Sequence, residues 1–291
     1  DRSLLARTVD RAGFADATVV LTRPAFADRV REEAPDADVL VEPEARDTGP
    51  ALAYAAHELR RAYDDPVLLS LPSDHHVEGA FEPVAREAAS LAADTGELVA
   101  IGVEPDRPAT GYGYLVPGEP IGDSGVRVES FVEKPDAERA AALLDAGALW
   151  NAGMFAWTPR VFLREARGSP LGELVDALEA GDAEAGFAAV EPVSVDRAVL
   201  ERSDRVAAVR AGFEWDDLGA WDAVERVLGG ELAEGLEVDA SGNLLASDGA
   251  HVTVVGADDL VVAAYGDRVL VVPKAEAESV REAVAELREG G

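Results

Sequence analysis

The chain has 291 residues and a formal net charge of -31; of its 26 basic residues only Lys134 and Lys274 are lysine. Such a carboxylate surplus argues against nucleic acid or an anionic membrane as a partner, and its self-repulsion predicts adaptation to the salt-rich cytoplasm of a halophile. With no cysteine there is no disulfide framework and no thiolate metal site, as suits an intracellular protein, and no run approaches the ~18 apolar residues of a membrane span.

In chain order, short apolar runs alternate with helical periodicity through the first two-thirds. This predicts βαβ units and a doubly wound α/β domain with a mostly parallel sheet. Strands are expected at Thr18–Thr22, Asp38–Val41, Pro66–Leu71 and Glu97–Val103, and helices at Pro50–Arg61, Phe81–Ala93 and Asp136–Ala146. Thr48 is the expected cap of the first of these helices, with Pro50 near its first position. Beyond residue 230 come short strands at Leu236–Asp239, Asn243–Ala246, His251–Val255, Leu260–Ala264 and Arg268–Val272, separated by Gly, Asp and Ser turns. That spacing predicts a small β-solenoid or β-domain, closed by an amphipathic helix at Glu276–Arg288. The expected domains are residues 1–230 and 231–291.

Six short motifs punctuate this pattern: Glu42 to Pro50, Leu71-Pro72-Ser73-Asp74-His75, Thr110-Gly111-Tyr112-Gly113-Tyr114, Phe131-Val132-Glu133-Lys134-Pro135, Trp150 to Phe155, and Trp215-Asp216-Asp217-Leu218-Gly219. In this order they resemble the sugar-1-phosphate nucleotidylyltransferases, most closely the mannose-1-phosphate guanylyltransferases. The resemblance implies a Rossmann-like nucleotide-diphospho-sugar transferase fold with a left-handed β-helix at its end, a homodimer formed through that β-domain, and Mg²⁺-dependent transfer of GMP from GTP to mannose-1-phosphate. Two other readings are another sugar-1-phosphate nucleotidylyltransferase and a non-catalytic paralogue that binds a sugar nucleotide to regulate an active partner.

Nucleotidyl transfer is an in-line displacement at phosphorus, so it needs alignment and cations. Mg²⁺ takes one or two protein carboxylates and completes its shell with water and phosphate oxygen. Asp74, beyond the carboxyl end of a buried-type strand, stands where open α/β sheets place ligands. The resemblance makes Asp74 and Asp217 the metal ligands, with Asp216 as substitute, and Asp74 also a nucleotide contact. An isolated Asp in so acidic a chain would read as a helix cap or a solvated loop. The resemblance also assigns Lys134 to the sugar phosphate, which suits a point charge, and Glu133 to sugar hydroxyls. Asn151 can donate to and accept from a diol. Gly111 and Gly113 permit close backbone approach to a ligand. Asp196, in Ser194-Val195-Asp196, resembles the family's Ser-Ile-Asp on the sugar side.

Arg46, Thr48 and Pro50 fall where the family handles the nucleotide, and this segment favours GTP over other triphosphates. Asp47 replaces the family's Asn, and Gly49 its Ala. His57, His75, His76 and His251 show no ligand spacing and read as non-catalytic, with His75 and His76 at the cleft beside Asp74. In the resembling family a Gly-rich phosphate loop comes ahead of the segment matched by Asp1–Asp10. The sequence holds no G-x-x-x-x-G-K-[ST] or G-x-G-x-x-G, so residues 1–291 by themselves are expected to be impaired in GTP chemistry.

Overall fold

The computed structural model describes residues 3–219, 231–232 and 235–280. Contacts divide the chain into two compact units, Asp1–Trp215 and Asp216–Gly291. The first opens with Leu4–Arg11 (α1), Val19–Thr22 (β1), Ala27–Glu33 (α2), Asp38–Val41 (β2), Thr48–Ala62 (α3), Leu68–Ser70 (β3), His76–Gly79 (β4), Phe81–Thr95 (α4) and Leu98–Val103 (β5). Then come Gly113–Ile121 (β6), Gly125–Glu133 (β7), Ala137–Asp145 (α5), Leu149–Trp157 (β8), Pro159–Arg167 (α6), Gly172–Glu179 (α7), Ala183–Ala189 (α8), a π-helical turn at Asp196–Leu200, Val206–Arg210 (β9) and Phe213–Asp216 (β10).

Six strands form the main sheet in the order β3-β8-β5-β9-β7-β6. β5 and β9 are parallel, whereas β8 opposes β3 and β5, and β7 opposes β9 and β6. Hence β3, β5, β9 and β6 share one direction, and the two opposed strands interleave with them. β1 and β2 form a separate parallel pair. Both faces of the sheet are covered. Leu98 and Ala100 pack with Phe155, Trp157 and the helices α3, α6 and α7, while Val99, Ile101 and Val103 pack with Met154 and α4. A strand covered on both sides has no solvent face to alternate with, which is why β5 is apolar throughout.

Register places the motifs at one end of this sheet. Gly102 aligns with Asn151, Val103 and Tyr114 with Trp150, and Gly113 with Glu133. The carboxyl ends of β5 and β7 thus meet the start of β6 and β8. β8 reads in the sequence as a motif rather than a strand because Asn151 and Gly153 interrupt an otherwise buried apolar run.

One expectation is corrected here. α3 begins at Thr48, two residues before the expected start, and its N-cap is Asp47, whose carboxylate accepts the Thr48 N–H at 2.6 Å. The Thr48 hydroxyl does not cap; it accepts the Val195 N–H at 3.0 Å. A helix start is read in sequence from residue type, and here the neighbouring Asp took the role while a distant backbone donor claimed the hydroxyl.

The second unit holds Glu231–Leu232 (β11), Gly235–Val238 (β12), Leu244–Ser247 (β13), Val252–Val255 (β14), Leu260–Tyr265 (β15) and Arg268–Pro273 (β16). β11, β13 and β15 stack in parallel, as do β12 and β14; Gly235↔Val252 and Leu244↔Val261 are offset by the same number of positions, whereas Glu231↔Leu245 is three shorter. Parallel strands stacked at near-regular offsets are the geometry of a β-helix. Leu245, Val252, Val254 and Val262 fill its interior. The buried Asn243 bridges coils, donating from Nδ2 to the Ala257 carbonyl at 3.0 Å and accepting from Leu260 N–H at 2.9 Å. β16 turns antiparallel against β15. Lys274–Ser279 is a 3₁₀ helix rather than the start of an α-helix; residues 281–288 of the expected helix lie outside the described residues.

Candidate active site

Two pairs of expected site residues form at the ends of β7 and β8, Glu133 with Lys134 and Asn151 with Asp196. Glu133 ends β7 and Lys134 follows in the left-handed region at φ 46, with its N–H on the Tyr112 carbonyl at 3.3 Å. That backbone conformation is costly for a residue with a side chain and persists only where neighbours impose it. Lys134 Nζ lies 2.9 Å from Glu133 Oε1, with the ammonium half exposed and the carboxylate mostly covered. On β8, Asn151 Nδ2 donates to Asp196 Oδ1 at 2.8 Å, and Asn151 Oδ1 accepts the Gly153 N–H at 3.1 Å. The two bonds fix which end of the amide is which. One Nδ2–H and one Oδ1 lone pair are left for a ligand.

Asp196 begins the π-helical turn. Its carboxyl is pushed up to about 6, first by burial and then by the nearby Glu133 charge, against the hydrogen bond from Asn151 and the Lys134 ammonium. The cluster therefore sets two carboxylates, one ammonium and one oriented amide around the same end of the sheet. It is built to meet hydroxyl groups and one anionic group at once.

The two glycines of the Tyr112 motif differ. A Cβ on Gly113 would lie 2.6 Å from Glu133 Oε2, so glycine there makes room for the Glu133 carboxylate; a Cβ on Gly111 would meet nothing within 4 Å. The close approach expected at both positions is thus made by the protein itself only at Gly113. Tyr112 packs edge-on against Trp150 and Trp215 at 4.9 and 5.1 Å between ring centroids. Arg107 sits 5.0 Å over the Trp150 ring. These aromatics form a wall beside Asn151 that reads in the sequence only as packing.

The Glu42–Pro50 segment is held by its backbone. Gly49 N–H donates to the Val193 carbonyl at 3.0 Å and Val193 N–H to the Arg46 carbonyl at 3.3 Å. With the Thr48–Val195 bond, these tie the segment to the stretch that leads into Asp196. Gly49 lets the two backbones come this close, since a Cβ would lie 2.6 Å from the Val193 oxygen and an Ala there would push the carbonyl aside. Asp47 takes φ 70 and ψ 179, a region almost reserved for glycine. Its carboxylate accepts the Thr48 N–H, a bond that the family's Asn would make equally well. Pro50, in the first turn of α3, is buried and lacks only an N–H the helix would not use. Arg46 reaches Glu44 at 3.0 Å while its buried Nε has no partner. Glu42 is buried, Oε2 lacks a partner, and burial pushes its carboxyl up against the opposing charge of Arg23.

Asp74 is exposed in the loop between β3 and β4, beyond the carboxyl end of β3. Next to it His75 Nδ1 accepts the Trp215 indole N–H at 3.1 Å, a link between segments 140 positions apart that composition cannot reveal. Asp216 and Asp217 follow Trp215 directly in the chain. Asp216 is buried and accepts the Leu218 N–H at 3.0 Å; Asp217 accepts the Gly219 N–H at 2.9 Å, with Leu218 at φ 49. No group of three or more metal-ligating side chains converges among the described residues. Mg²⁺ does not need one, because one or two carboxylates with water and phosphate oxygen complete its shell. An exposed Asp at a strand end fits that donor chemistry. His57 lies on α3, and His251 beside β14.

Residues 8–230 match the nucleotidyl transferase family. The chain belongs to that family. Residues 233–287 match the MannoseP isomerase/GMP-like β-helix domain. A mannose-1-phosphate guanylyltransferase of Sinorhizobium fredii is 34% identical over 307 aligned positions, covering 97% of this chain and 60% of that protein. One from Escherichia coli is 34% identical over 276 positions, covering 87% and 58%. The chain thus spans about three-fifths of the length of the curated relatives it matches. A crystal structure described as mannose-1-phosphate geranyltransferase from Thermus thermophilus superposes with a TM-score of 0.85 at 35% identity, over 98% of this chain and 89% of that one. The fold read from the motifs is therefore the fold of the family: a nucleotidyl transferase domain followed by a β-helix domain.

Proposed function

We propose that this chain, within its full-length protein, transfers GMP from GTP to mannose-1-phosphate, giving GDP-mannose and pyrophosphate. The observation that carries the reading is the Glu133–Lys134 and Asn151–Asp196 cluster, which offers an ammonium to a phosphate and oriented polar groups to sugar hydroxyls. The names of the relatives support the sugar and the base.

In this reading an oxygen of the sugar phosphate forms a bond to the α-phosphorus of GTP. The bond from that phosphorus to the α,β-bridging oxygen breaks, and its electron pair leaves with pyrophosphate. Lys134 holds the sugar phosphate in line, Glu133 and Asn151 hold the sugar, and Asp196 keeps the Asn151 amide turned toward it. Gly111 leaves space for the sugar phosphate, and Arg46, Thr48 and Pro50 frame the nucleotide. Asp74 and Asp217 would hold Mg²⁺, which when bound offsets charge on the phosphate oxygens. Subunit contact through the β-helix is proposed where Leu236, Val238, Val255, Val269 and Val271 leave apolar side chains exposed; sedimentation at equilibrium tests it, and a monomer at working concentration refutes it.

The deciding experiment is product analysis with the full-length protein and a panel of sugar-1-phosphates and nucleoside triphosphates. GDP-mannose is expected as the preferred product. Preference for another sugar or base would replace the substrate assignment, and binding without turnover would favour a regulatory role. Adaptation to salt is proposed from the charge, and predicts a melting temperature that climbs between 0.1 and 1 M KCl as the Debye length falls to about 3 Å. A flat or falling curve would remove that proposal and leave the site untouched.

A further inference from the structure

β8 changes register in its middle. Val99 faces Ala156 and Ala100 faces Phe155, but beyond Ile101 the partners are Gly102 with Asn151 and Val103 with Trp150. Ala152, Gly153 and Met154 therefore stand against Ile101 alone, a bulge of two extra residues on β8. Had the first register continued, Gly102 would face Gly153, and Asn151 would lie level with Glu104, past the end of β5 at Val103. The bulge draws Asn151 back by two positions, about 6–7 Å of strand.

Gly153 is where the bulge turns. Its φ is 67, in the left-handed region. A Cβ there would meet His75 Cε1 at 3.5 Å and Pro72 Cγ at 3.6 Å, ordinary contact distances. Room is thus available, and what disfavours a side chain is the backbone conformation. The same turn aims the Gly153 N–H back at Asn151 Oδ1, 3.1 Å away. Because Asn151 Nδ2 donates to Asp196 Oδ1 at 2.8 Å, the amide is held at both of its polar atoms. A bond at Nδ2 alone would leave the amide free to rock about that contact; the second bond, at Oδ1, fixes its plane.

We infer that Gly153 is a positioning residue for the sugar: its left-handed turn sets how far along the sheet Asn151 stands, and its N–H sets the plane of the amide that meets the sugar hydroxyls. The inference rests on the assignment of Asn151 to the sugar made above, and it adds a residue that touches no substrate in that reading. Binding groups act only when held close to the productive geometry, so a bulge that shifts one amide by two positions bears on affinity without entering the chemistry.

A double-mutant cycle on the full-length protein tests it, read by calorimetric titration with mannose-1-phosphate and by the side-chain amide resonances of selectively ¹⁵N-labelled asparagine. Gly153→Val, whose β-branched side chain resists left-handed backbone, is expected to weaken mannose-1-phosphate binding about tenfold and Gly153→Ala about threefold, with the KM for GTP within about twofold of wild type. The Asn151 amide pair, identified by its loss in Asn151→Ala, should move in both variants toward the positions of a free amide. In the Asn151→Ala background, Gly153→Val should cost no further affinity, because the group it positions is gone. Equal loss of affinity in both backgrounds would make Gly153 a purely structural residue and overturn the proposal. An Asn151 amide resonance that Gly153→Val leaves in place would overturn it too. Should the valine variant fail to fold, Gly153→Ala carries the same cycle with its smaller expected loss. If Asn151→Ala binds mannose-1-phosphate as wild type does while the amide resonance moves in the Gly153 variants, the sugar assignment falls and the positioning stands; if Asn151→Ala weakens binding and the Gly153 variants move neither affinity nor resonance, the positioning falls alone.

Discussion

The groups proposed for the sugar and those proposed for the phosphates are held in different ways. Glu133 pairs with Lys134, and Asn151 with Asp196, through side chains at one end of the sheet. By contrast, Asp74 is exposed on a loop, and Arg46 keeps a buried Nε without a partner. On the proposed roles, the sugar half is preorganised and the phosphate half is left for its ligand to complete. Charge should therefore dominate on the phosphate side, whereas shape and orientation should dominate on the sugar side.

The largest test of that contrast is Asp74→Ala. If Asp74 holds Mg²⁺, turnover should fall by about 10³-fold or more, several kcal/mol of barrier, with the fold intact. Near-normal rates at saturating Mg²⁺ would take Asp74 out of the metal site. Next is Lys134→Ala, expected to lower kcat/KM for the sugar phosphate by roughly 10²-fold while the KM for GTP stays within about twofold. An effect mainly on GTP would place Lys134 on the phosphate side and erase the division.

Asp196→Asn sharpens the sugar side through pH. Because its native carboxyl titrates near 6 and its unfolded one near the ordinary value of 3.8, burial being the main cause, the native state holds the extra proton between those values. The stability so contributed is full below about 4 and is lost as pH rises through about 6. The variant lacks this group, so its melting temperature relative to wild type should rise by roughly 2–4 °C between pH 4.5 and 7. A difference independent of pH would show that Asp196 is solvated like any surface carboxylate. The smallest effect is local. Thr48→Val leaves the Val195 N–H without its acceptor, costing about 1–2 kcal/mol in denaturant unfolding, and Thr48→Ser should recover most of it. Equal stability of the two variants would mean that the link between the nucleotide segment and Asp196 is slack.

Much of this was legible without coordinates, for reasons that differ by element. A strand buried on both faces announces itself by composition, as Leu98–Val103 does, and stacked β-helix rungs do so by spacing. The chemistry-bearing residues stood out because Glu-Lys-Pro and Trp-Asn-Ala-Gly each pack several unusual demands into a few positions. What the sequence by itself determined was thus the family, the order of its two domains and a set of candidate side chains. Only the tertiary structure decided partners: that Asp47 rather than Thr48 caps α3, that Gly113 makes room for Glu133, and that Trp215 reaches His75. It also decided that Asp196 turns Asn151. Each of these depends on which distant backbone or side chain arrives within hydrogen-bond reach. Such contacts span up to 147 positions of chain, and residue type and local period carry no information about them.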